Sequence, residues 1–273
     1  MRDSSWPVRT LLTALLILFS LPRGAFASVD TQTLYRATVV ITGNFEHEKL
    51  RGFAESLEEV LVKVSGDPDL AGSPEVVALA VRAAEFVESH ELVDRMAGIP
   101  AHDEQGTRER PHLLTVVFSK EKIDGALREL GRSPWRERPT IGLAIGVDNG
   151  TRHFLLTRGS DLGSDHRQTL VDIAEELGLR ISFPGEQEIA VETAVLGNAV
   201  PEQLDNLRRA LNSEALLAGS LVWNERAFRW SSQWQLATGD MLENWEAESI
   251  SFDSVFRRTL ERAMRVLSGA GKP

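Results

Sequence analysis

The chain has 273 residues, with 30 basic against 40 acidic side chains, a net charge of −10, 42% hydrophobic residues and no cysteine. The absence of cysteine excludes disulfides, thiolate metal sites, a cysteine nucleophile and a lipidated cysteine. The negative charge disfavours nucleic acid and anionic membrane surfaces as partners, because binding them rests on Lys and Arg neutralising phosphate.

The N-terminal MRDSSWPVRT carries Arg2 and Arg9, LLTALLILFSL is almost wholly apolar, and PRGAFAS places small residues at Ala25 and Ala27. This pattern predicts a signal peptide over residues 1–27, cleaved after Ala27, and hence a periplasmic chain. The apolar run is short of the roughly 20 residues of a spanning helix, and no later segment approaches that length, so no stable membrane insertion is expected after cleavage. Losing Arg2, Arg9, Arg23 and Asp3 leaves 27 basic against 39 acidic side chains, a net charge of −12. About 245 residues then remain, enough for one large or two ordinary domains.

TLYRATVVIT (33–42) is rich in β-branched residues and reads as a strand. NFEHEKLRGFAESLEEVLVKV spaces Leu50, Phe53, Leu57, Val60, Leu61 and Val64 as an amphipathic helix, with Asn44 as N-cap and Gly66 as the left-handed stop. Asp67-Pro68 and Ser73-Pro74 each carry the signature of a helix start, and the second opens EVVALAVRAAEFVESH, predicted as one helix. ELVDRMAGI and HLLTVVFS read as strands, and KEKIDGALRELG as a helix begun at Ser119. These elements predict a β-α-α-β-β-α module over 28–132, with its helices on one side of an open sheet. RSPWRERP reads as the linker.

TIGLAIGVDNGTRHFLLT is a hairpin signal, with Asn149-Gly150 as its two-residue turn. A helix over SDHRQTLVDIAEELG with Ser164 or Asp165 as cap, a strand LRISF and a helix PEQLDNLRRALN follow. Three strands, EALLAGSLVW, RAFRWSSQWQLA and MLENWEAESI, lead to a last helix FDSVFRRTLERAMRVL. The expected fold class is α/β (α+β), with a second module over 139–269 and each module a small mixed or antiparallel sheet covered by helices.

LEEVLVKVSGDPDL after YRATVVI, then SPWRERPTIGLAIGVDNG and SEALLAGSLVWNERAFRWSSQWQL, resembles the bacterial envelope family catalogued as domain of unknown function number two thousand and sixty-six. VSGD, PWRERP and EALLAGSL carry the resemblance, which spans about residues 33–245. It implies an exported protein without assigned activity, so no catalytic residue is carried over.

The stretch KVSGDPDLAGSP can be a connector or a ligand loop. Each of its special residues serves to stop or start a helix, and it neither follows a strand nor holds a phosphate-loop lysine. On the connector reading, Asp67→Asn is close to silent, because Asn still caps. RAFRWSSQWQL sets Phe228, Trp230, Ser232, Trp234 and Leu236 on one strand face, which either stacks sugars or partners or lies under the last helix. HFLLTRGSDLGSDH gathers His153, Asp161, Asp165 and His166, yet no regular spacing brings them together, and no metal is expected. Ser119 and Lys122 match S-x-x-K without its companion motifs, and pairs among Glu186, Glu188, Glu225, Glu243, Glu246 and Glu248 are expected by chance among 39 acids, since spacing does not bring two carboxyls to one cleft. The reading is therefore a non-enzymatic envelope factor without cofactor, whose partner is an envelope protein, or alternatively a small envelope ligand or glycan. Its candidate binding residues are Ser65, Asp67, Trp135, Asp148, Trp230 and Trp234.

Overall fold

The computed structural model describes residues 31–98, 109–186, 193–239 and 241–270. The predicted signal peptide and its cleavage site lie outside the described residues. The fold is mixed α/β on two sheets. One turn of helix, α1 (Thr31–Leu34), leads into β1 (Arg36–Thr42), whose Ala37, Val39 and Ile41 are buried while Arg36, Thr38, Val40 and Thr42 are exposed. The buried face packs under α2 (Glu46–Ser65), which contributes Phe53, Leu57, Val60, Leu61 and Val64 at helical spacing. Gly52 lets α2 approach closely, since a Cβ there would stand 2.6 Å from Leu114 and 2.9 Å from Ile41.

After α3 (Pro74–Ala80), β2 (Val87–Asp94) and β3 (Pro111–Phe118) complete an antiparallel sheet in the order β1-β3-β2, and α4 (Lys120–Glu129) buries Ile123, Ala126 and Leu127. The helix expected across residues 75–90 stops at Ala80. A 3-10 turn follows at Ala83–Phe86, and the strand expected at 91–99 begins instead at Val87. The reason is tertiary: residues 87–94 satisfy the second edge of β3, and that ladder outweighs a helical spacing whose Val77 and Val81 end up exposed. The N-cap of α2 is Phe45, without a side-chain bond, in place of the expected Asn44.

The second sheet is centred on β4 (Thr140–Asp148), a near-continuous apolar run buried on both faces. It pairs antiparallel with β5 (His153–Leu155) and parallel with β6 (Arg180–Ser182) and β7 (Ala215–Asn224). Beyond β7 lie β8 (Arg229–Thr238) and β9 (Met241–Ser249), both antiparallel. α5 (Ser164–Glu176) and α7 (Phe252–Ser268) share the core with Leu143, Ile145 and Leu217 on one face. α6 (Pro201–Ala210) and a 3-10 segment at Thr193–Asn198 cover Ala144, Leu216 and Ala218 on the other.

The predicted two-residue hairpin is a four-residue loop, 149–152, in which the Asn149 side chain accepts from the Thr151 and Arg152 amides at 3.2 and 2.9 Å. Helix α5 is capped by Gly163 at φ 69°, with Ser164 and Asp165 already inside its first turn. One contiguous hydrophobic core takes residues from both sheets.

Candidate functional site

The six residues proposed from sequence fall in four places. Ser65 is buried, donating to the Leu61 carbonyl at 2.7 Å and accepting from the Asp67 amide at 3.1 Å. Gly66 ends α2 at φ 71°, and its carbonyl accepts from Ser268 Oγ of α7 at 2.8 Å. Asp67 is only 2% exposed; it caps a 3-10 turn at Pro68–Leu70 by accepting from the Asp69 amide at 3.1 Å and accepts from Arg132 Nε at 2.6 Å. Asp69 is paired with Arg265 of α7. The stretch therefore serves as a connector against which α7 and the following segment dock, and Ser65 and Asp67 present no open surface.

Trp135 marks the segment expected to be a linker. Its backbone N–H donates to the Val64 carbonyl at 2.8 Å, and its ring lies 4.3 Å from the Arg138 guanidinium. Arg138 is 4% exposed and has no carboxylate partner among the described residues. It donates instead to carbonyls of Trp135 at 3.2 Å, Leu177 at 3.3 Å and Gly178 at 3.1 Å, and to that of Lys63. The C-terminal ends of α2 and α5, one from each sheet region, thus converge on a single cation, which their dipoles favour. Burial nevertheless lowers the Arg138 pKa to about 10, and Arg180 nearby pushes in the same direction.

Asp148 is the last residue of β4, accepting from the Gly150 amide at 2.9 Å and standing 3.4 Å from His153 Nδ1. Trp234 is 1% exposed, its Nε1–H donates to Ser232 Oγ at 2.8 Å, and Phe256 of α7 meets it edge-on. Trp230 is half-buried among Trp223, His166 and Phe252. The last helix thus covers this face, and Trp234 offers no ring to a sugar. Phe228 is not on the strand face; it is 72% exposed in the preceding turn at φ 50°. Among the described residues, no group of three or more His, Asp or Glu converges on a metal-sized site.

Two grooves remain. The first, about 720 Å³, runs along the outer side of β1. Phe118 donates to the Tyr35 carbonyl and Gly43 to that of Arg110, so the odd-numbered residues of β1 direct their backbone toward β3 and the even-numbered ones away from it. At the ends of that outer row, Lys63 Nζ takes the Arg36 carbonyl at 2.9 Å and the Glu48 carboxylate accepts from Thr42. Between them the backbone of Thr38 and Val40 pairs with nothing among the described residues. Glu55 and Glu59 of α2 wall one side, and Asp172, Glu175 and Glu176 of α5 the other. Glu59 bonds Lys63 at 2.9 Å and Glu176 is held by Arg257 at 2.6 and 2.9 Å. Burial, with the like charges of Glu176 and Glu55, holds the Glu59 carboxyl above its usual range.

The second groove, about 520 Å³, is lined by Leu34, Tyr35 and Val64, by the 134–139 segment, and by Lys120, Arg180 and Glu214. Sequence reasoning singled out Trp135 here but missed Arg138 and Arg180. The one available signal was a run of three charged residues, Arg136 to Arg138, between Pro134 and Pro139 at the entry to a largely apolar strand.

Residues 28–136 match a domain of unknown function (DUF8605). This overturns the resemblance to the envelope family numbered two thousand and sixty-six, because the matched family is a different one. No curated protein matches the chain. A solved structure, the LpoB C-terminal domain from Salmonella enterica, is 15% identical, covering 41% of this chain and 83% of its own, with a TM-score of 0.26. A likeness that slight bears on neither fold nor function. No helix among the described residues is long and apolar enough to cross a membrane.

Proposed function

We propose that this chain is an exported, non-enzymatic envelope factor that binds another protein by taking an extended, basic segment of it as an added strand along β1. The single observation behind this reading is the unpaired backbone of Thr38 and Val40 facing a groove walled by carboxylates. Main-chain hydrogen bonds would give the affinity, and the acidic walls would select Lys and Arg at alternate positions. Folded proteins usually blunt such an edge with Lys, Pro or a bulge, and the central part of β1 carries none of these. Export rests on the signal-like pattern of residues 1–27, and we retain the division into modules 28–132 and 139–269 as part of the same proposal.

The test is amide hydrogen exchange over residues 36–42 with a ten-residue peptide alternating Lys and Val. Slowed exchange at Thr38 and Val40, abolished by N-methylation of alternate peptide residues and by Glu55→Lys with Asp172→Lys, supports strand addition. Equal protection by a Glu/Val peptide, or none by either, overturns it.

A further inference from the structure

The geometry points to the second groove as a binding site for an amphipathic carboxylate, held by Arg180 with its apolar part against Trp135 and Pro134. Arg180 follows from β6, which runs parallel beside Thr140–Gly142 of β4 and so carries the guanidinium to the mouth of the groove. Its Nε is buried with no hydrogen-bond partner, and no acceptor for the guanidinium is found among the described residues. Nε itself is out of a ligand's reach, but a guanidinium without an acceptor bears a desolvation cost that a carboxylate on its terminal nitrogens would offset.

The neighbouring acids do not serve. Glu214 spends Oε2 on the Thr140 amide at 2.5 Å, and Glu137 is exposed. Of the other cations, Arg136 is neutralised by Asp124 at 2.8 Å, whereas, among the described residues, Arg138 has only carbonyl partners and Lys120 has no acceptor. The groove is thus locally cationic in a chain whose net charge is −10. A guanidinium fork matches a carboxylate in two parallel bonds, and the Leu34, Val64 and Pro139 walls suit an aliphatic group attached to it. This site is independent of the β1 edge.

The experiment follows the Trp135 indole resonance of the purified chain during titration with N-acetyl-leucine, N-acetyl-leucinamide and inorganic phosphate. A saturable shift with the acid and none with the amide is expected. Arg180→Gln should weaken binding by about tenfold or more, with Arg180→Lys intermediate because a point charge replaces the fork. The Arg180→Gln protein should also melt no lower than wild type without ligand, since an unpaired donor has been removed. The proposal is overturned by identical responses to acid and amide, by phosphate binding in place of acetyl-leucine, by unchanged affinity in Arg180→Gln, or by a lower melting temperature that marks Arg180 as structural.

Discussion

The Arg138 guanidinium lies over the Trp135 ring, 4.3 Å from its centre, while its nitrogens donate to carbonyls of α2 and of the turn after α5. One side chain thus joins the two sheet regions. Arg138→Met would leave four carbonyls without their donor and is expected to cost about 3–5 kcal/mol in chemical denaturation. Arg138→Lys should recover less than half, because an ammonium cannot reach the same carbonyls in a planar fork. A melt of Arg138→Met within a degree of wild type would show that the contact does not join the two halves.

Asp67 has two tasks where the sequence showed one. It caps the 3-10 turn, which Asn would preserve, and it is buried against Arg132, which Asn would not satisfy as a charge. Asp67→Asn is therefore expected to destabilise by about 1.5–3 kcal/mol. A double-mutant cycle with Arg132→Met isolates the pair, and zero coupling would return Asp67 to a simple cap.

Gly66 requires glycine for two reasons. Its φ of 71° is the left-handed region, and a Cβ would stand 2.6 Å from Ser268 and 2.7 Å from the Trp135 ring. Even Gly66→Ala should lose about 2–4 kcal/mol, and Gly66→Asn, which tolerates the backbone conformation, should not rescue it. Rescue by Asn would show that backbone strain alone matters there.

His166 stacks on Phe252 at 4.2 Å, with Phe154, Trp230 and Phe256 around it and a buried Nε2 without a partner among the described residues. Burial lowers its pKa from 6.5, against the opposing pull of Asp165 and Asp253. Below 6.5 the unfolded chain therefore binds the proton that the folded chain refuses, so this group's contribution falls as pH drops from 6.5 toward the lowered value. Urea midpoints should decline over that window, and His166→Phe should flatten the decline while keeping the aromatic packing. An unchanged slope in His166→Phe would assign the effect to other groups.

Much of the architecture was legible in the sequence because local rules and tertiary need agreed. The stripe of α2, the glycine stop at Gly66, the caps at Asp67 and Ser73, and the apolar run of β4 are all set by residues within a few positions of one another. Residues 81–90 read as helix because their spacing was helical, and only the open edge of β3, distant in sequence, made 87–94 a strand. The functional surfaces were equally non-local. Trp234 looks like a binding residue until α7 covers it, and Arg138 looks like a linker charge until Lys63, Leu177 and Gly178 surround it. The β1 groove exists because α5, more than a hundred residues away, places its carboxylates opposite an unpaired strand edge. The periodicity of a segment records what that segment buries, whereas which donors, acceptors and charges remain unpaired depends on every other segment that packs against it.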